Sequence, residues 1–85
     1  MYQIIFEKKA EKELYSLDKS VQKRISAAID EKLKKDPDLF LIPLVGDLAG
    51  LYKFRVGDYR LLCKKDGQKL VVVVVRIKHR KEVYL

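Results

Sequence analysis

An α+β domain, with a helical hairpin packed on one face of a small, mainly antiparallel sheet in the order β-α-α-β-β-β, is predicted by three observations. Apolar residues recur at a helical period between Ala10 and Leu33, the period changes to two after Gly50, and Val71 to Val75 form an unbroken apolar run behind an Asp-Gly pair. At 85 residues the chain reads as one domain, 1–85, near the size at which a single core holds without disulfides or metal.

Tyr2 to Phe6 is short, apolar and rich in β-branched and aromatic residues, which predicts a first strand. Ala10, Leu14 and Leu17 then follow at i, i+4 and i+7 among Lys and Glu, one stripe of an amphipathic helix that Asp18 closes. Ser20 or Asp18 caps a second helix, whose stripe is Val21, Ile25, Ala28, Ile29 and Leu33 and which Asp36-Pro37 ends. Pro37, Pro43, Gly46 and Gly50 mark residues 36–50 as an irregular connection, with Leu39, Phe40, Leu41, Ile42 and Leu44 covering one end of the core. Beyond it, Tyr52, Phe54 and Val56 alternate with Lys53 and Arg55, so the cations face away from the helices. Gly57-Asp58 predicts a turn, Tyr59 to Lys64 a further strand, and Asp66-Gly67 a hairpin into the valine strand, whose apolar run predicts burial on both faces.

The net charge is +7, and it is unevenly placed: residues 1–42 carry nine Lys and Arg against eight Asp and Glu, residues 43–85 ten against four. A one-sided positive field attracts polyanions, with nucleic acid the first partner to consider and an acidic protein the second. Cys63 is the only cysteine, which rules out an internal disulfide and favours a reducing compartment; with no apolar stretch long enough to span a bilayer, a cytoplasmic location without membrane partners is expected. Paired carboxylates, a Cys and His cluster for a metal and a Gly-rich phosphate loop are all missing from the basic half, so no metal or cofactor is expected and any chemistry falls to Lys, Arg and Tyr.

Lys53, Arg55, Arg60, Arg80 and Tyr84 are the residues singled out for that chemistry. Lys53 and Arg55 lie about 6–7 Å apart along one strand face, close to the separation of successive phosphates in an extended nucleic acid. A tight turn at Gly57-Asp58 returns Arg60 beside them, and its planar fork suits phosphate oxygens; the alternative is a structural ion pair with Asp58 or Asp47. Arg80 and Tyr84 follow the valine strand, where a rigid scaffold passes into a tail. There Tyr84 either stacks on a base, takes part in proton transfer, or plugs the end of the core. Lys78, His79 and Lys81 read as RNA contacts. His79 has no second imidazole to work with, and Cys63 reads as a small core residue.

The segments Tyr52-Lys53-Phe54-Arg55-Val56-Gly57-Asp58-Tyr59-Arg60-Leu61-Leu62, Val71 to Val75 and His79-Arg80-Lys81-Glu82-Val83-Tyr84 resemble the RelE/ParE superfamily of bacterial type II toxin–antitoxin systems, the RelE branch in particular. The resemblance spans nearly the whole chain and implies a RelE-like microbial RNase-type fold. It also implies a metal-independent, ribosome-dependent mRNA interferase that enters the A site and cuts the codon by 2′-hydroxyl attack, leaving a 2′,3′-cyclic phosphate. By the same resemblance, Lys53 and Arg55 hold the phosphate and help activate the 2′-hydroxyl, Arg60 stabilises the phosphorane, Arg80 serves the leaving oxygen, and Tyr84 orients the base or assists proton transfer. Arg55 stands where some relatives carry Lys, which weakens a base role there, and Lys78 where many carry Gly. The implied partners are messenger RNA, ribosomal RNA and a RelB-like antitoxin through which the complex binds operator DNA. Two other functions fit the same scaffold: a ParE-like DNA gyrase inhibitor without nuclease activity, and a non-catalytic RNA-binding module.

Overall fold

The computed structural model describes residues 1–82. Strand β1 (Gln3–Phe6) leads into helix α1 (Lys8–Tyr15) and, after a short turn, helix α2 (Lys19–Ala28). The predicted stripe of α2 is the buried one. Ile25, Ile29 and Leu33 are fully or almost fully buried and join Ala10 of α1 in the core, with Leu14, Leu17, Val21 and Ala28 packed around them. The second helix ends in a π-helical turn over Ile29–Leu33, where the Lys34 N–H reaches back five residues to the Ile29 carbonyl at 2.9 Å. Asp18 occupies the N-cap of α2 without a side-chain capping bond.

The connection after Pro37 has more regular structure than the sequence predicts. It holds a one-turn helix α3 (Pro37–Phe40), whose N–H of Leu39 is accepted by the Asp36 carboxylate at 3.2 Å, and a two-residue strand β2 (Ile42–Pro43). Leu41 closes the core as expected, whereas Leu39 and Ile42 face solvent. Strands β3 (Tyr52–Val56), β4 (Tyr59–Asp66) and β5 (Val71–His79) complete a five-stranded sheet of order β1-β5-β4-β3-β2. Only β1 runs parallel to its neighbour, β5; the other pairings are antiparallel, so the sheet is mixed.

The helices cover one face. Phe54, Val56, Leu61, Cys63, Val72, Val74 and Ile77 point into that side and meet the helical stripe. The valine run departs from its expected double burial: Val72 and Val74 are fully buried, but Val71, Val73 and Val75 are only partly buried on the other face, which no helix of the described residues covers. A β-bulge adjusts the same strand. Cys63 pairs with Val74 and Leu62 with Arg76, so Val75 is the extra residue, and the bulge lets both Val74 and Ile77 reach the core.

Two turns set the hairpins. Gly57 has φ +57° and Asp58 does not share the positive φ, the pattern of a type II′ turn between Val56 and Tyr59, whose first central position favours glycine. The β4–β5 loop is longer than Asp66-Gly67 alone predicts: Asp66 pairs with Val71, its carboxylate accepts the N–H groups of Gln68 and Lys69 at 3.1 Å, and the left-handed residue is Leu70, φ +55°. An L-residue there costs about 1–2 kcal/mol, of which glycine returns part through its larger unfolded-state entropy. Leu70→Gly should therefore raise stability by roughly 0.5–1 kcal/mol, read from the urea midpoint; a lowered midpoint would mean that the half-exposed leucine makes contacts worth more than its strain.

Candidate functional site

Strand parity decides what the uncovered face presents. Because Phe54 and Val56 point to the helices, Lys53 and Arg55 point away from them, and the register carries that alternation across the sheet. Arg55 pairs with Arg60, and Arg60 with Lys78, which sets three cations in a row across β3, β4 and β5, about 5 Å from strand to strand. The neighbouring row is Lys53, Leu62 and Arg76. Leu62 is only 6% exposed although it lies outside the helix-side core, so it forms an apolar floor enclosed by the long basic side chains of both rows. Lys53 and Arg55 make no ion pair among the described residues.

Arg80 joins this end of the sheet through the backbone. Its N–H donates to the Asp58 carbonyl at 2.7 Å, its carbonyl accepts Arg60 Nη1 at 3.2 Å, and its Nε stands 3.6 Å from the Asp58 carboxylate. The β3–β4 turn, Arg60 and the chain beyond β5 are thus tied together. The ion pair that the sequence left open for Arg60 with Asp58 is made by Arg80 instead, with both partners well exposed and the pair correspondingly weak.

Of the remaining residues predicted to contact RNA, Lys78 is in the cationic row and Lys81 lies in the exposed turn that follows. His79 sits on the helix side, edge-on to Tyr59 with ring centroids 5.1 Å apart, and its Nδ1 accepts the Lys81 N–H at 3.2 Å. It is therefore held away from the cationic face. Tyr84 lies outside the described residues. Cys63 is buried among apolar side chains that push its thiol up to about 12, which suits the packing role expected of it and not a nucleophile.

Glu13 was missed by sequence reasoning. Strand β1 stops pairing at Val74, so the rest of the β5 edge needs another partner, and α1 supplies one. The Glu13 carboxylate accepts the Ile77 N–H at 2.8 Å and both Nε and Nη2 of Arg76 at 3.0–3.2 Å, with Lys78 Nζ at 3.9 Å. Partial burial favours its neutral form, but the hydrogen bonds from Arg76 and Ile77 and the charges of Arg76 and Lys78 outweigh that, and the carboxyl titrates below its ordinary range. Glu82 repeats the device one turn on, accepting the His79 N–H at 2.8 Å with Lys78 Nζ 3.4 Å away, and is likewise lowered, chiefly by that backbone bond. The available signal was a carboxylate at position 13 between Ala10 and Leu17 on the apolar stripe of α1.

The arrangement is a cationic frame on a rigid sheet, whose β5 end is neutralised by Glu13 and Glu82. Residues 4–84 match the family model described as the ParE toxin of type II toxin–antitoxin systems. The chain is 34% identical over 87 residues to the toxin RelG of Mycobacterium tuberculosis, covering 98% of this chain and 95% of that one. Among solved structures it is similar to the RelBE2 toxin–antitoxin complex of M. tuberculosis, with TM-score 0.87, 30% identity and coverage of 93% and 98%. It is also similar to the archaeal RelE–RelB complex of Pyrococcus horikoshii, with TM-score 0.74, 28% identity and coverage of 96% and 98%.

Glu13→Ala strips the Ile77 N–H and the Arg76 guanidinium of their partner and should cost roughly 2–4 kcal/mol in urea unfolding. The charge component has a defined pH signature. With the folded carboxyl titrating below the unfolded one, the stabilisation is full above the ordinary value near 4.5 and is lost as pH falls through the lowered folded value. The stability gap between wild type and Glu13→Gln should hold steady from about pH 8 to 5 and close below that; a gap that instead widened in acid would contradict the assignment.

Proposed function

The chain belongs to the ParE toxin family of type II toxin–antitoxin systems, and from that premise we propose that this toxin acts as a ribosome-dependent endoribonuclease on messenger RNA. The observation that carries the reading is the row of Arg55, Arg60 and Lys78 with Lys53 beside it, presented on the uncovered sheet face and joined by Arg80 at one end. A binding partner recognised by shape alone has no need of several cations aligned on one sheet face; a reaction that gathers negative charge on a phosphorus does.

In the proposed reaction the 2′-oxygen of one ribose bonds to the adjacent phosphorus, its proton passing to a base. The bond from phosphorus to the 5′-oxygen breaks, and that oxygen takes up a proton, leaving a 2′,3′-cyclic phosphate and a free 5′-hydroxyl. Arg60 and Arg55, which occupy paired positions on β4 and β3, stabilise the doubly charged phosphorane, the kind of preorganised contribution that usually dominates such catalysis. In this reading Lys53, two positions before Arg55 on β3, assists deprotonation of the 2′-hydroxyl, and Arg80 serves the leaving oxygen. Both rows rest on backbone pairing, so little reorganisation is needed when charge develops. Tyr84 keeps its proposed part in stacking or proton transfer. The ribosome supplies the orientation of the RNA that an 85-residue chain with one open face does not supply alone.

A RelB-like antitoxin is the proposed neutralising partner, since the M. tuberculosis and P. horikoshii relatives were solved as complexes of this kind. Its acidic segment would offset the excess positive charge of residues 43–85.

Primer extension on a message translated by purified ribosomes should show cuts at codon-spaced positions, slowed roughly 10²–10³-fold by Arg60→Ala, as for removal of one oxyanion donor. Uncut message with the protein bound to the ribosome would reject the nuclease reading, and loss of gyrase supercoiling in the same preparation would favour the alternative.

A further inference from the structure

The sheet face is not the only cationic surface at this end of the molecule. Between α2 with its π-helical extension and the outer edge of β3 lies a cleft of about 310 Å³, lined by Arg24, Ala27, Ala28, Glu31, Lys32, Arg55, Val56 and Gly57. Two cationic side chains, Arg24 and Lys32, face it against one carboxylate, Glu31, and Arg55 forms part of its wall. Neither Arg24 nor Lys32 makes an ion pair among the described residues; the Lys32 ammonium lies 5.7 Å over the Phe40 ring, a contact that leaves its charge intact. Arg24 reaches over the β3–β4 turn, so close that a Cβ on Gly57 would stand 3.3 Å from its Nη1.

The backbone contributes a donor to the same place. The Leu44 N–H donates to the Leu51 carbonyl at 2.9 Å, so Leu51, and by alternation Lys53 and Arg55, turn their main-chain groups away from β4. Pairing with β2 ends at Lys53, and beyond it the Arg55 N–H faces outward along the uncovered strand edge beside α2. An N–H at an open strand edge with two cations lining the same cleft is a donor set for an anion with several oxygens.

Arg55 belongs to both surfaces, and this decides the occupant. Its side chain stands in the cationic row with Arg60, while the same residue walls the cleft. A chain of phosphates seated on the sheet face can therefore continue over the β3 edge without leaving positive potential. A cleft of about 310 Å³ has room for one phosphate and part of its ribose. We infer that the α2–β3 cleft is a second RNA phosphate subsite, made by Arg24, Lys32 and the Arg55 N–H, that holds the strand flanking the one on the sheet face. This rests on the nuclease reading for its ligand class. The phosphodiester belongs either to the message or to ribosomal RNA.

The test uses the full chain and a 2′-O-methyl RNA of about eight nucleotides, which carries the phosphates but no attacking hydroxyl, with affinity measured against salt concentration. Arg24→Gln combined with Lys32→Gln should weaken the octamer about tenfold at low salt and flatten its salt slope by about 0.7 for each phosphate lost. Binding of a 2′-O-methyl dinucleotide, too short to span both surfaces, should stay unchanged, and Glu31→Gln should tighten the octamer. All three positions are solvent-exposed, so the urea midpoint serves as a folding control. Equal octamer affinity and slope in wild type and the double variant, on free RNA and on ribosomes, would overturn the subsite whether or not the wild type cuts message. A loss seen with ribosomes alone supports the subsite with ribosomal RNA as its source. Loss on the octamer by a wild type that never cuts supports the subsite while rejecting the nuclease.

Discussion

Slipping β4 by one residue against its neighbours would carry Arg60 into the helix-covered core and turn Leu61 and Cys63 out to water. Both are fully buried where they stand, and a guanidinium put in their place would be desolvated without a partner. The pairing of Leu61 with Phe54 on one side and Ile77 on the other therefore holds the register, and the register alone aligns Arg55, Arg60 and Lys78 on the far face. Packing on the helix side is what places charge on the open side. Like charges set directly opposite across strands repel, so the cationic row is a local cost that the buried side of the same three strands offsets.

How that cost is contained differs along the row. At the β5 edge Glu13 and Glu82 neutralise Arg76 and Lys78 while also accepting main-chain N–H groups that have no strand beside them. Each carboxylate does two jobs, ending a sheet edge and damping a charge. Toward β3 neither Lys53 nor Arg55 makes an ion pair among the described residues, and the potential there is less offset than at β5. The frame is graded from neutralised to open, which gives an approaching anion a preferred side from which to engage.

The helical hairpin, the three long strands and the outward direction of Lys53 and Arg55 were legible because each rests on a local period: 3.6 for Val21 to Leu33, two for Tyr52 to Val56. The placement of β1 beside β5 was not, since a four-residue strand carries no mark of a partner some seventy residues away. The valine run misled for a related reason. Five consecutive valines describe a buried strand equally well on one face or two, and the partial exposure of Val71, Val73 and Val75, over which no helix of the described residues lies, decides. The bulge at Val75 and the left-handed Leu70 carry no composition signal either, because neither uses glycine. For the site, the residue types of the cationic set were readable, while its limits were not. His79, adjacent in sequence to Lys78, falls on the opposite face by simple alternation, and Arg24 and Lys32, distant in sequence, come to the same strand edge through the packing of α2.

The distribution of carboxylates bears on what a neutralising partner has to do. An acidic segment approaching from β5 meets Arg76 and Lys78 already paired and gains little there, because displacing Glu13 would also uncover the Ile77 N–H. From the β3 edge it meets Lys53, Arg55, Arg24 and Lys32 with no ion pair to break among the described residues. On the proposed function, competition between an antitoxin and a nucleic acid strand is settled on the β3 side of the molecule, where the partner's acidic groups would take the place of phosphates.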